Sequence, residues 1–328
     1  MKAVVFEQYG GPEVLQVREL PIPEPKEGEV LLRMRAAGVA KPDYLMRTGA
    51  YPWTKGILPF YPGLYGAGEI AALGAGVTGL AVGQKVFIDH PVVCGCYSEY
   101  KTAPATAVTV LPEAIDLELA AVANNHVIAW SFLTTACAPS QGRTLYMKGA
   151  AGALGTAIVQ LAPKKGLKVI ASASTPEKCD YLRRLGADCV FCYRQQDEKQ
   201  AVLDFTDGQG ADYVLDQCAG DGFVGQFDLL NRGGTIVIYN TLNGYPQENL
   251  VQVLTDNFAR CNSVRAFSFH LHDGRLDEIT ALRDTVFGML ARGEVKPCIG
   301  ARFTQAEVQE AHALLDTGTC LGSILLQI

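Results

Sequence analysis

The sequence predicts an α/β chain, with a doubly wound parallel sheet in its middle and a β-rich part before it. Three observations carry this. Residues 143 to 175 read as strand, glycine turn, helix, strand. The apolar Thr144–Met147 run is followed at once by Gly149, Gly152 and Gly155, and Ala153–Leu161 has apolar residues at helical spacing. From about Asp116 to residue 265 helix-like and strand-like segments alternate, as Ala211–Asp216 and Gly233–Tyr239 show, and such alternation implies a parallel sheet covered on both faces. Before that, short apolar or alternating runs lie between turn signals, the mark of antiparallel strands.

Taken in order, Ala3–Phe6, Leu15–Arg18 and Val30–Ala36 read as strands around Gly10-Gly11-Pro12 and the proline-rich Pro21–Pro25. Residues 37 to 60 form an irregular region with one short helix, whose polar and aromatic groups suit a binding loop. Strands follow at Gly66–Ala72, Lys85–Ile88 and Tyr97–Ala103, then helices through Glu118–Asn124 and His126–Thr134. The C-terminal stretch predicts helices around Asp277–Arg292 and Gln305–Thr317 and a closing strand Ser323–Leu326.

The glycine turn is the most informative stretch. Small residues through Gly149, Ala150, Gly152, Ala153, Leu154 and Gly155 let the backbone approach a pyrophosphate, and a helix starting near Ala153 aims its N–H groups and positive dipole end at that charge. The spacing lacks the usual Gly-x-Gly pair, so a purely structural turn is the competing reading. The next strand bears on which dinucleotide binds. An NAD site places a carboxylate at its end, about 20 residues on. Here Ala171-Ser-Ala-Ser174-Thr175 stands there, with Lys178 following. Hydroxyls and a cation suit a 2'-phosphate, so NADPH is expected over NADH.

With 328 residues, two domains are expected. A hydrophobic content of 48% and a charged content of 19% describe a globular protein with a large core. A net charge of -6, without long basic runs, excludes nucleic acid and anionic membrane as main partners. No apolar run is long enough to span a bilayer, and Met1–Phe6 is too short for a signal peptide, so a soluble, cytoplasmic protein is expected. The ten cysteines show no zinc pattern: Cys94-Gly-Cys96 and Cys189-Val-Phe-Cys192 are the close pairs, and neither recurs. Reduced, mostly buried thiols and no metal site are expected.

Met1–Phe6, Pro21–Glu29, Gly38-Val39 through Asp43, Arg47–Pro52, Gly149–Gly155 and Glu310-Ala311-His312 together make the chain resemble, nearly end to end, the zinc-independent quinone oxidoreductase branch of the medium-chain dehydrogenase/reductases. The resemblance implies a GroES-like catalytic domain over 1–118 and 267–328 and a Rossmann NADPH-binding domain over 119–266, in a homodimer whose Rossmann sheets pair at an edge strand. Zinc-using relatives carry ligands near Ala40–Pro42 and a His-Glu after a Pro-Gly, where this chain has Leu64-Tyr65. Without such a Lewis acid, alcohol dehydrogenation is not expected. Hydride transfer to an electron-poor acceptor remains: a quinone or related conjugated carbonyl, or alternatively the double bond of a 2-alkenal, enone or enoyl thioester. A non-catalytic NADPH-binding protein is the third reading.

The resemblance also implies site residues. Tyr51 matches a tyrosine used by related enoyl thioester reductases, and a phenol can protonate a developing enolate; packing before the Pro52 turn explains it as well. Asp43 and Arg47 match family positions, with an ion pair or loop cap as the competing explanation. Tyr193 matches the tyrosine beside the 2'-phosphate, and Asn240 stands where the family has glycine near the nicotinamide ribose. Departures fall at Ala40 for asparagine, Tyr65 for glutamate, Ile128 for threonine, and a missing arginine around Asp316–Gly318. Tyr44, Trp53, Tyr61, Tyr65 and Trp130 offer either an aromatic wall for a flat ligand or core packing.

Overall fold

The structure is a computed structural model that describes residues 1–52, 54–89, 94–137 and 142–328. Trp53 lies outside the described residues. The chain divides into two compact units, one comprising Met1–Asn125 and Arg283–Ile328, the other His126–Leu282.

The first unit begins with an antiparallel pair, β1 (Lys2–Val5) and β2 (Gln16–Glu19). The long β3 (Glu29–Val39) is its organising strand, pairing antiparallel with β4 (Tyr65–Leu73) and with β6 (Tyr100–Pro104). Between them β5 (Lys85–Asp89) joins β4, and β7 (Val108–Val110) joins β5. Val30, Leu32, Met34, Ala36 and Ala37 of β3 are all buried. Each large apolar side chain buried this way contributes about 1.5–3 kcal/mol. Helix α1 (Lys41–Arg47) follows β3 after one residue, and α2 (Leu117–Val122) is capped by the Asp116 carboxylate, which accepts from Glu118 and Leu119 N–H.

The second unit opens with α3 (Asn124–Thr135) and then builds a six-stranded, all-parallel sheet. In chain order its elements are β8 (Thr144–Met147), α4 (Ala153–Leu161), β9 (Lys168–Ala173), α5 (Pro176–Leu185), β10 (Cys189–Cys192), α6 (Glu198–Phe205), β11 (Ala211–Asp216), β12 (Leu230–Ile238), α7 (Leu250–Asp256) and β13 (Ser263–Ala266). The spatial order is β10-β9-β8-β11-β12-β13. Winding therefore reverses between β8 and β11, and ligands of open α/β sheets bind outside the carboxyl ends at such a reversal. Tyr146, Ile170, Val214 and Ile236, one from each central strand, form the core of one face with Phe191, Val202 and Phe223. The link from β11 to β12 is a 3-10 stretch, Phe223–Leu229, where alternation suggested an α-helix.

The chain returns to the first unit partway along helix α8 (Leu276–Ala291). That helix leads to β14 (Ile299–Thr304), a strand the sequence pattern did not disclose because only alternate residues are half-buried along it. Helix α9 (Val308–Thr317) follows, and β15 (Ser323–Gln327) closes the sheet, parallel to β14 and antiparallel to β3.

Candidate functional site

In the second unit the turn after β8 has the shape the glycines suggested. Gly149 sits at φ +68, where a side chain is strained. Ala150 N–H donates to the Ser172 carbonyl at 2.9 Å, which ties the turn to β9. A Cβ on Gly155 would lie 2.3 Å from the Ala150 carbonyl oxygen, so α4 can press against the turn only with glycine there. Gly152 is different. It is the N-cap of α4, no side chain caps that helix end, and a Cβ built on Gly152 meets nothing within 4 Å. An uncapped helix start of nine residues facing open space is a ready seat for a phosphate group. The residues present therefore fit a dinucleotide's pyrophosphate.

At the end of β9, Ser174 and Thr175 are half-buried, and Thr175 caps α5 by accepting from Lys178 N–H at 3.4 Å. The backbone N–H of Glu177, and after it the Thr175 side chain, hold the Glu177 carboxylate below its usual range. The expected hydroxyl pair is thus reduced to Ser174, and an exposed carboxylate stands in the first turn of α5, a feature sequence reading passed over. Tyr193 N–H donates to the Ala173 carbonyl at 3.1 Å, extending the β9–β10 pairing by one residue and bringing Tyr193 beside Ser174. Lys148 lies 5.5 Å from the Tyr193 ring centre and pairs with Glu198 at 2.7 Å. Asn240 turns its carbonyl back onto Thr241 N–H at 2.9 Å.

Sequence reading missed the residues at the reversal itself. Asp216, the last residue of β11, accepts from Cys218 and Ala219 N–H at 2.9 and 3.0 Å and shapes the loop beside Gly149. Gln217 Nε2 lies 3.2 Å from where a Gly149 Cβ would be. A cavity of about 380 Å³ lies by these strand ends, lined by Tyr146, Lys148, Glu198, Asp216, Cys218 and Phe223 among others. Their position just after β8 and β11 was the available signal. Trp130 lies under Lys165, with Nζ 3.8 Å from the ring centre.

In the first unit the segment after β3 carries the other expected residues. Asp43 is fully buried; its Oδ1 accepts from Gly63 and Leu64 N–H at 3.1 and 3.2 Å, and its Oδ2 from Ala40 N–H at 3.0 Å. Burial pushes this carboxyl up to about 6 against the pull of those bonds. Asp43 thereby ties the start of α1 to the Gly63-Leu64 turn. Arg47, 1% exposed, gives its Nη2 to both oxygens of Asp316 at 2.8 and 2.7 Å, which ties α1 to α9. Asp43 and Arg47 each have other partners and do not pair together in these bonds. Tyr51 is 7% exposed, and its N–H bonds to the Leu45 carbonyl at 3.0 Å, which folds the turn back on α1.

The aromatic residues of this unit divide. The Tyr44 ring carries Lys41 Nζ at 3.6 Å, while Tyr61 is exposed. Tyr65 is buried, packs so closely on Gly38 that a Cβ there would lie 2.1 Å from its ring, and accepts from Asn125 Nδ2 at 3.4 Å. Burial, with Asp43 nearby, drives the Tyr65 phenol well above its usual range, so it stays protonated.

These two units, one a mainly antiparallel sheet and the other a parallel dinucleotide-binding sheet, define a medium-chain dehydrogenase/reductase. Residues 26–113 match the family model for the alcohol dehydrogenase GroES-like domain, and residues 153–275 match that for zinc-binding dehydrogenases. Within this class the chain belongs to the quinone oxidoreductase family: it is 31% identical to quinone oxidoreductase of Pseudomonas aeruginosa, over 99% of each chain. It is 28% identical to human quinone oxidoreductase, over 95% of this chain and 93% of that one. The crystal structure of Escherichia coli quinone oxidoreductase complexed with NADPH superposes with a TM-score of 0.91 at 26% identity, covering all of both chains.

Proposed function

We propose that the protein is an NADPH-dependent oxidoreductase that delivers hydride to a quinone or a related conjugated carbonyl acceptor. The observation that carries this is the uncapped, open start of α4 at Gly152, beside a second strand followed at once by Ser174 and then Lys178, in a chain whose relatives are quinone oxidoreductases. The solved E. coli relative is an NADPH complex, which supports the same cofactor here.

In this reading bound NADPH supplies the hydride. The Gly149–Gly155 turn and the first N–H groups of α4 hold the pyrophosphate. Ser174, Lys178 and Tyr193 hold the 2'-phosphate through charge-assisted bonds, and Asn240 lies toward the nicotinamide ribose. Tyr51 donates its phenolic proton to the acceptor's oxygen as charge develops there. Asp43 and Arg47 act one step back: their bonds to Ala40, Gly63, Leu64 and Asp316 fix the segment that carries Tyr51.

The working form in this reading is a cytoplasmic homodimer. Ten cysteines without a zinc or disulfide spacing suit a reducing compartment, and among the described residues no helix is long and apolar enough to cross a membrane. Strand β13 is a sheet edge, and Leu242, Tyr245, Val251 and Phe258, all exposed, supply apolar surface in the chain before it. Phe258→Asp should shift the sedimenting species toward monomer; an unchanged dimer would place the interface elsewhere.

The activity is tested by following NADPH and NADH oxidation with 1,4-benzoquinone, 9,10-phenanthrenequinone, an alkenal and crotonyl-CoA, in wild type and Tyr51→Phe. Quinone turnover that needs Tyr51 supports the mechanism. Quinone turnover indifferent to Tyr51 removes its role as acid. Turnover confined to the alkenal or thioester makes the protein a double-bond reductase, and cofactor binding without any turnover makes it a non-catalytic NADPH-binding protein.

A further inference from the structure

We propose that Lys148 is a second cation for the cofactor's 2'-phosphate and that Glu198 competes with the phosphate for it, so that this pair sets how strongly NADPH is preferred over NADH. The proposal rests on the assignment of Ser174, Lys178 and Tyr193 to that phosphate.

Strand register places the residues concerned on one face of the parallel sheet. Tyr146 and Cys189 both pair with Ile170, and Phe191 pairs with Ser172. Paired positions share a face and side chains alternate along each strand, so Tyr146, Ser172 and Phe191 lie in one layer, where the Tyr146 and Phe191 rings stack 5.8 Å apart. Lys148, Ser174 and Tyr193 stand two positions further on, each the first residue past its strand. Tyr193 packs against the same layer, and Lys148 Nζ lies 5.5 Å from its ring centre. Lys148 therefore reaches over the end of β9 toward the residues assigned to the phosphate.

One carboxylate holds it there. Lys148 Nζ donates to Glu198 Oε2 at 2.7 Å, and Glu198 Oε1 accepts from Tyr146 OH at 2.6 Å. Having given its one proton to Glu198, Tyr146 accepts from Ser172 Oγ at 2.9 Å. Burial, with the carboxylate against it, drives the Tyr146 phenol well above its usual range, so it remains a donor. Glu198 is thus fixed by a buried hydroxyl, whereas its bond to Lys148 faces water, the Lys148 side chain being 50% exposed. Glu198 stays in place, and Lys148 is the member that can turn.

The charges around this end of the site favour that turn. An ion pair so open to solvent is weak, and a phosphate carries more charge than a carboxylate and is the stronger partner for an ammonium. Lys178 shares the first turn of α5 with the exposed carboxylate of Glu177, so Lys178 alone leaves the site without net positive charge. Among the described residues α5 contributes nothing to the layer around Tyr146, whereas α6, which carries Glu198, does. Lys178 and Lys148 therefore approach from opposite faces of the sheet. NADH has no 2'-phosphate, and with it Lys148 keeps Glu198.

The test measures NADPH and NADH dissociation constants by fluorescence titration for wild type, Lys148→Met, Lys148→Arg, Glu198→Gln and Lys178→Ala, each checked by thermal unfolding. Lys148→Met should raise the NADPH constant about tenfold, the scale of one charged contact, and the NADH constant little. Lys148→Arg keeps the charge and should stay near wild type. Glu198→Gln keeps an acceptor for Tyr146 OH and releases Lys148, so the NADPH constant should fall about threefold, within the range of an exposed ion pair, with NADH unchanged. A gain in affinity cannot come from a damaged fold. Equal changes for both cofactors in Lys148→Met, or none, while Lys178→Ala still weakens NADPH alone, overturn the proposal and leave the phosphate assignment standing. NADPH affinity unchanged or lowered in Glu198→Gln overturns the competition. An unchanged NADPH preference in both Lys148→Met and Lys178→Ala overturns the phosphate assignment, and the proposal with it.

Discussion

Gly152→Ala and Gly155→Ala separate two jobs that one glycine-rich turn performs. At Gly155 the new methyl lies 2.3 Å from the Ala150 carbonyl oxygen, which belongs to a residue pinned by its N–H bond to Ser172. Overpacking of this kind costs about 1–3 kcal/mol, and replacing a helical glycine by alanine returns about 1 kcal/mol. A contact to backbone this short lies at the upper end, so a net loss of about 2 kcal/mol follows from those two terms. At Gly152 the methyl meets no protein atom within 4 Å, and φ −79 with ψ 178 is open to any residue. The chain-entropy gain of about 0.4–1 kcal/mol and the poorer N-cap, about 0.5–2 kcal/mol, leave folding stability within about 1 kcal/mol of wild type. The methyl does occupy the space proposed for the pyrophosphate, so NADPH and NADH affinities should both fall by on the order of tenfold or more, about 1.4 kcal/mol per decade. Thermal unfolding of each variant and fluorescence titration with both cofactors read the two effects apart. Gly152→Ala protein that is stable and binds NADPH like wild type would refute the placement of the pyrophosphate at the start of α4.

Lys178→Ala should weaken NADPH about tenfold or more, the scale of a charge-assisted contact, and NADH little; equal losses for both cofactors in titration would remove Lys178 from the phosphate site. Asp316→Ala should strip the buried Arg47 of its carboxylate and cost about 3 kcal/mol, the lower end for breaking a buried pair because Asp316 is partly open to solvent; a denaturation midpoint equal to wild type would show that Arg47 finds another partner. His126 and His312 are buried with no hydrogen-bond partner on either ring nitrogen among the described residues, and burial holds them down to about 4 and about 3. The unfolded chain takes up these protons near pH 6.5 and the folded chain only well below, so their contribution is whole above about pH 6.5 and is lost as pH falls toward 4, by up to about 1.4 kcal/mol per pH unit for each. Asp43 works in the opposite sense, because its carboxyl is raised, so the readout is the difference between wild type and a His126→Leu/His312→Leu double variant. Parallel stability–pH curves from denaturant melts would refute the assignment.

What the amino-acid order determined is local and periodic. The apolar run, glycine cluster and amphipathic segment over 144–161 are legible because strand, turn and helix each impose a spacing on neighbouring residues. Thr175 could be read as the residue before a helix, and Asp116 likewise, because capping reaches only two or three residues ahead. Strand β14 escaped because its half-buried alternation is too weak to mark a strand until β15 lies beside it.

The partners of the polar groups were decided by tertiary structure. Asp43 and Arg47, four residues apart, read equally well as a pair; in the fold one serves three backbone N–H groups and the other reaches Asp316, 269 residues away. Thr175, read as a phosphate ligand, is engaged by its own helix end, where it accepts from Lys178 N–H. The physical reason is common to both. Periodicity and caps are settled by residues within one turn of each other, whereas a buried polar group must find a partner or bear the full cost of desolvation. Which partner that is depends on the segments that packing brings within about 3 Å, however far apart the chain has placed them.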